Sequence, residues 1–427
     1  MVDVVNIRLW GEYVGAAMWN PQTQSAAFEF DKSFITKGLD ISPIVMPVSN
    51  PRIFSFGDIS QQTFMGLPGL LADSLPDSYG RKLLDRWLAM NGRTVANPIE
   101  LLCFQGKRGM GALEFEPAES IFPDKNRAIE ISTLIDVAQQ ITSDKESLSA
   151  SFDDSSLKEG IEQVISVGTS AGGMRAKAVI AYNEATNEVR SGQIDAGDGF
   201  EHWLLKLDGV TNNELGDPKH YGLIEYLYYL MAKDAGIEMM ESKLLREGSR
   251  AHFMTKRFDR VGASEKLHTQ TLCGLAHYDY RVLRAYSYEQ LFEVMRRLRL
   301  PLSEAKEMFR RMVFNIVARN QDDHTKNVSF VMNRSGAWSL SPAYDVTWAY
   351  SPNGSWTAMH QMSVNGKWDG FTRRDLSEFA AKMNIKNYAE IIDQVITSVS
   401  RWQILSSEYE LPRAISSRLF SHFLLDL

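Results

Sequence analysis

The chain is expected to be an α+β protein, β-rich in its first half and helical in its second, with the change near Asp259. Three observations predict this. Short alternating apolar segments broken by Gly, Asn and Pro recur through the first half, as in VNIRLW and AAFEF. Beyond about residue 285, apolar residues recur at helical spacing over 287–299, 302–319, 373–383, 387–405 and 411–424. The length, 427 residues, exceeds what one hydrophobic core organises, so the chain is expected to divide, here into 1–125, 126–259 and 260–427.

The elements follow in order. Residues 1–60 read as short strands and turns. In LPGLLADSLPDSYGRKLLDRWLAMNG, residues 67–92, Leu83, Leu84, Trp87 and Leu88 lie at helical spacing; Asp73 or Ser74 can start a turn and Gly92 can stop the helix. A helix over 97–105 leads into GKRGMGALEFEP, a turn and strand closed by Pro117. SDKESLSASFDDSS, residues 143–156, reads as a solvated connection, or as a regulatory serine cluster with Ser147 and Ser149 exposed. VISVG, the turn TSAGGMR and KAVIAY follow, the last pairing with a strand near EVRSGQ, and WLLKLD comes after. Residues 221–235 form a helix stopped by Gly236, and SKLLREGSRAHFMTKRFDR forms a hairpin about EGSR. Within the helical half, VSFVMNRSGAWSLSPAYDV reads as strand, turn, strand and loop.

Composition narrows the function. The chain is 44% hydrophobic, 11% aromatic and 23% charged, which suits a globular protein rather than a disordered one. Its net charge of −7 disfavours a strongly basic nucleic-acid surface. Cys103 and Cys273 sit in no CxxC or Cys/His cluster, so neither a zinc site nor a disulfide framework is expected. The charged start and the lack of an apolar run of about 18 residues argue against a signal peptide and a membrane span, and the reducing cytoplasm is the expected compartment.

Three constellations carry chemistry. GTSAGGMRAK, residues 168–177, places Gly172 and Gly173 between predicted strands, where backbone N–H groups can approach an anion, with Lys177 following. No GK[ST] follows, so it is not a Walker A loop, and a plain glycine hairpin would look the same. Lys206, flanked by leucines in WLLKLD, either faces solvent or grips phosphate, held by Glu225, the one acid on an otherwise apolar helical stretch. The third, RNQDDHTKN at 319–327, is followed one hairpin later by Asp345. Phosphoryl transfer needs a carboxylate for the attacking hydroxyl and oxygen ligands for magnesium. Protein kinases place the base five residues before a metal-binding Asn and a second metal-binding Asp after a hairpin. Asp322, Asn327 and Asp345 stand in that order and spacing, behind glycine loop, lysine strand and glutamate helix. The expected architecture is therefore a protein-kinase-like two-lobed fold with ATP between the lobes. His324 is read as orienting the loop or a phosphate, and His360 and Asp369 as structural.

LPGLLADSLPDSYGRKLL, RGMGALEF, SAGGMRAK, WLLKLD, KRFDR, NQDDHTKNVSF and LSPAYDV together resemble the HipA serine/threonine kinase toxins of bacterial toxin–antitoxin modules, over most of the chain. The resemblance implies Asp322 as base, Asn327 and Asp345 as magnesium ligands, and Lys206 as the phosphate lysine. It implies ATP contacts from Ser170, Ala171, Gly172, Gly173, Met174, Arg175, Ala176 and Lys177, from Phe258 and Asp259 at the hinge, and from His324 and Asn327. Ser170 matches the family's autophosphorylated serine; a phosphate there would expel the loop and inactivate the enzyme. The sequence departs from the family pattern at Lys256, where Glu is frequent, at GGMRAK, and at Asp323, where Gly stands beside the base. The family implies a small helix-turn-helix antitoxin of HipB type, a corepressor role with operator DNA reached mainly through the antitoxin, and persistence. Its characterised protein target is an aminoacyl-tRNA synthetase, glutamyl-tRNA synthetase. A small-molecule kinase, a non-catalytic corepressor scaffold, and a metal-dependent phosphohydrolase built on Asp322, His324 and Asp345 are the competing readings.

Overall fold

The structure, a computed structural model, describes residues 2–94, 97–118, 129–142, 176–193, 196–210, 220–248, 250–262 and 265–427. They fall into two compact units. The first comprises 1–41, 46–222 and 243–269, and the second 42–45, 223–242 and 270–427. These units are cut differently from the expected domains: residues on both sides of 125 belong to the first unit, and 259 lies inside its last segment.

The first unit holds two five-stranded sheets. One is antiparallel, ordered β4-β3-β2-β1-β5, from β1 (Val4–Leu9), β2 (Glu12–Asn20), β3 (Ser25–Phe30), β4 (Phe54–Ser55) and β5 (Leu113–Glu116). Val5, Ile7 and Leu9 alternate into the core, which is the period-two pattern that made β1 legible. Helix α1 (Ser78–Met90) buries Leu83, Leu84, Trp87 and Leu88, as their spacing predicts. Its N-cap is Asp77, whose carboxylate accepts from the Gly80 N–H at 2.6 Å, so the helix starts later than Asp73 or Ser74. Pro76 explains the delay, since it disfavours helical backbone at the residue before it. Helix α2 (Pro98–Gln105) is buried throughout and is capped by Asn97 with proline at its first position.

The second sheet is ordered β7-β6-β8-β10-β9, from β6 (Lys177–Asn183), β7 (Glu188–Ser191), β8 (Glu201–Lys206), β9 (Ser242–Glu247) and β10 (Arg250–Lys256). The expected pairing of KAVIAY with EVRSGQ is present, with Ile180 opposite Ser191.

The second unit is mainly helical: α3 (Tyr221–Asp234), α4 (Tyr288–Arg297), α5 (Leu302–Val317), α6 (Arg373–Lys382), α7 (Tyr388–Ser400), α8 (Trp402–Glu408) and α9 (Arg413–Phe420). The helix expected over 387–405 is two helices, broken at Arg401. Edge-to-face rings of Tyr228, Phe314, Trp402 and Phe423 form part of the core. The predicted hairpin, β11 (Ser329–Met332) with β12 (Trp338–Leu340), is antiparallel and follows α5. Among the described residues, no helix is long and apolar enough to cross a membrane.

Candidate active site

The loop after α5 carries Asp322 and Asn327, two of the three residues singled out by spacing. Arg319, in left-handed backbone conformation, turns the chain out of the helix, and its guanidinium bonds the His422 carbonyl at 3.0 Å and Asp369 at 2.9 Å. Asp369 is thus structural, as expected. The chain then runs extended to His324, where a single 3₁₀ turn, Thr325–Asn327, begins. His324 Nδ1 accepts from the Lys326 N–H at 3.2 Å, which leaves the proton on Nε2, 3.7 Å from the Asp322 carboxylate. His324 therefore orients the loop and faces the Asp322 carboxylate.

Asp322 and Asn327 are joined directly: the Asn327 side-chain NH₂ donates to the Asp322 carbonyl at 2.8 Å. That bond commits the nitrogen, so Oδ1 is the atom of this side chain that could coordinate a cation. The Asp322 carboxylate accepts from the Trp356 indole N–H at 2.5 Å and keeps 39% of its side chain exposed. Its pKa is raised, chiefly by burial, with further repulsion from Asp345 and Asp323; His324 and Trp356 oppose the rise. The group is thus both accessible and basic relative to an ordinary aspartate.

Asp345 lies beyond the hairpin in left-handed conformation. The neighbouring Tyr344 hydroxyl donates to the Lys326 carbonyl at 2.8 Å and meets Ser329 Oγ at 2.5 Å, tying the Asp345 segment to the loop. Asp345 and Asn327 line one cavity of about 30 Å³ with Asp323, Asn320, Arg311 and Tyr288, room for about one water. Among the described residues, no group of three or more His, Cys, Asp or Glu side chains could hold a metal. A carboxylate and a carboxamide oxygen are hard donors that suit magnesium, which takes few protein ligands when phosphates supply the rest, so the residues fit a magnesium ion delivered with a nucleotide.

Asp323 is no rival to Asp322. It is 3% exposed and accepts from the Tyr288 hydroxyl, the His360 ring and the Gln361 N–H, each at 2.8 Å. It pins the 356–361 segment, and so Trp356, to the loop, which also gives His360 its structural role. Sequence reading misses Trp356 because an isolated tryptophan in a loop carries no periodic signal.

In the first unit, Lys177 and Lys206 stand directly opposite each other on β6 and β8. Lys206 lies 5.8 Å from the centre of the Phe253 ring. Lys177 is buried and its ammonium is 3.5 Å from Asp77, with the two side chains 3% and 4% exposed. The structure thus gives Lys177 a buried ion pair rather than an open phosphate contact. Asp259, expected near the ribose, is likewise fully buried. Its carboxylate accepts from Arg257 at 2.7 and 2.9 Å, from Arg260 at 2.6 Å and from the Gly111 N–H at 2.7 Å. Burial opposes ionisation there, yet Arg257 and Arg260 hold the carboxyl well below the usual carboxylate range. Asp259 is therefore a clamp, and KRFDR already contains both arginines that could have signalled it. Phe258 is half-buried, Ala176 is buried, and Lys256 pairs with Glu201. Glu225 is a buried carboxylate on α3. Ser147, Ser149, Ser170, Ala171, Gly172, Gly173, Met174 and Arg175 lie outside the described residues.

Asp322 bonded to an asparagine five residues on, an aspartate after a hairpin, and a β-rich unit with facing strand lysines match the order of parts in a protein-kinase-like fold. The chain belongs to the HipA family. The HipA-like C-terminal domain matches residues 169–402 and the HipA N-terminal domain matches 5–116. The fold is similar to that of HipA from Shewanella oneidensis MR-1, solved as a toxin–antitoxin complex of HipA, HipB and operator DNA. The TM-score is 0.67 at 18% identity, covering 98% of this chain and 94% of that one. A Haemophilus influenzae protein named "Putative kinase" is 26% identical over 144 residues, which span 30% of this chain and 42% of that relative's length.

Proposed function

We propose that the chain is an ATP- and magnesium-dependent serine/threonine protein kinase and the toxin of a toxin–antitoxin module. The observation that carries this reading is the bond between Asn327 and the Asp322 carbonyl. It holds the proposed base beside a hard oxygen donor at one turn, an arrangement that suits in-line transfer to a hydroxyl. Asp322 takes the proton of the acceptor hydroxyl as the hydroxyl oxygen bonds to the γ-phosphorus; the bond from that phosphorus to the bridging oxygen breaks, and ADP leaves with its electron pair. Asp345 and Asn327 Oδ1 would hold magnesium, which supplies charge neutralisation at the phosphates. Lys206 is the phosphate-gripping lysine. Ser170 is the site of self-modification, by which the enzyme turns itself off, with Ser147 and Ser149 as alternatives.

HipB and operator DNA accompany HipA in the Shewanella oneidensis complex. That supports a HipB-type antitoxin here, with the chain as corepressor and DNA reached mainly through the partner. An aminoacyl-tRNA synthetase is the candidate target, and its phosphorylation would produce persistence. Incubation with γ-labelled ATP and magnesium, beside Asp322→Ala, tests the reading. Label on a serine of the chain or on a protein substrate, reduced ~10²–10⁴-fold in the variant, is expected. ATP binding without transfer to any protein would sink it.

A further inference from the structure

Beside Asp322 lies an aromatic and cationic cluster whose outer members, Tyr280, Arg281 and Lys326, the transfer chemistry leaves unused. The Tyr280 ring sits 5.1 Å from the His324 ring, which lies 6.0 Å from Trp356 on its other side. This aromatic row passes the base, since His324 and Trp356 both approach the Asp322 carboxylate. Two cations meet at its outer end: the Arg281 guanidinium and the Lys326 ammonium are each 5.4 Å from the Tyr280 ring centre. Among the described residues, neither has a carboxylate within ion-pair distance.

The segment bearing Tyr280 and Arg281 is fixed in place. Thr325 Oγ1 donates to the Tyr278 carbonyl at 2.6 Å, and the buried Asp279 carboxylate accepts from the Arg281 N–H at 2.9 Å. The next two residues, Val282 and Leu283, are 52% and 37% exposed. In a chain of net charge −7, two cations without acid partners are held on one ring next to the base, with exposed apolar side chains adjoining. Such an arrangement is complementary to an anion carried on a partly apolar strand.

We infer that this rim receives the acceptor substrate, and that the phosphorylated hydroxyl lies in an acidic polypeptide segment, with an acid on Arg281 and Lys326 and an apolar residue on Val282 and Leu283. The inference deepens the kinase reading and rests on it. Peptide binding is therefore measured without turnover, so that its failure and the failure of phosphoryl transfer are told apart.

The experiment is fluorescence anisotropy of labelled serine peptides, matched in length and apolar content but acidic, neutral or basic, titrated with the full chain. The acidic peptide is expected to bind at least ~10-fold tighter than the basic one, with the difference shrinking as salt rises. Arg281→Glu is expected to abolish the preference and Arg281→Lys to retain it. In steady-state assays, Arg281→Glu should raise the KM for the acidic peptide while the KM for ATP stays put. Equal binding of all peptides, preference for the basic one, or an Arg281→Glu effect on ATP rather than peptide would each overturn the inference. The last outcome would give the two cations to the nucleotide phosphates.

Discussion

Asp322 draws its properties from neighbours of opposite effect. Burial and the nearby Asp345 and Asp323 raise its pKa, while His324 and the Trp356 indole hold it down. In its proposed role as general base Asp322 works only when deprotonated, so activity is expected to fall as pH drops through its pKa. Trp356→Phe removes one of the two groups favouring the charged form. The acid limb of the pH–rate profile should then move to higher pH, and plateau kcat should fall far less than the ~10²–10⁴-fold expected for loss of the base itself. An unmoved limb would mean that Trp356 only fills space. The grouping of Asn327 with Asp322 and Asp345 was legible in the sequence because the spacing is set by one helix end, one turn and one hairpin. Trp356, His360 and Tyr280 were not, because they reach the loop through tertiary contacts that leave no local period.

At the scale of elements, Asp77 does two jobs. It caps α1 and it neutralises Lys177 at the head of β6, where Lys206 stands opposite. Unrelieved like charges facing across strands are destabilising, and a buried lysine without its acid is more so. Asp77→Asn keeps the cap but removes the charge; Asp77→Ala removes both. Melting curves should show the Asn variant losing about 3 kcal/mol from the broken buried ion pair, and the Ala variant about 1 kcal/mol more from the cap. Equal stability of Asn variant and parent would mean that the capping bond is Asp77's whole contribution. Amphipathic spacing gave the body of α1, but Asp73 and Ser74 were as good a cap by composition as Asp77. The placement of Pro76 decided between them.

For the whole molecule, the first unit closes partly through His268, fully buried with its ring nitrogen 2.8 Å from the Ile41 carbonyl. Burial lowers its pKa to about 4, against the smaller opposing pull of that carbonyl. The folded chain therefore binds this proton less readily than the unfolded chain, whose histidine titrates near 6.5. Stability is full above that value, declines as pH falls from about 6.5 toward about 4, and loses about 3 kcal/mol over the window. Denaturant midpoints between pH 7.5 and 5 should drop more steeply for the parent than for His268→Gln, and parallel slopes would assign the acid sensitivity elsewhere. The division into a β-rich and a helical part was readable from the changing period of the apolar pattern. The boundaries of the compact units were not, because they depend on which distant segments pack together.

Two of those long-range ties have a hereditary consequence. Gly111 donates its N–H to Asp259 from 148 positions away, while Arg260 reaches back to the Gly109 and Gly111 carbonyls. Asp77 meets Lys177 across a comparable separation. In both cases one partner comes from the segment matching the HipA N-terminal domain and the other from the segment matching the C-terminal domain. A recombination event joining these halves from two divergent relatives would mate clasps cut by different lineages. A chimaera that kept these ties would have to carry Asp77 with Lys177, and the 109–111 turn with Asp259 and Arg260, as linked sets.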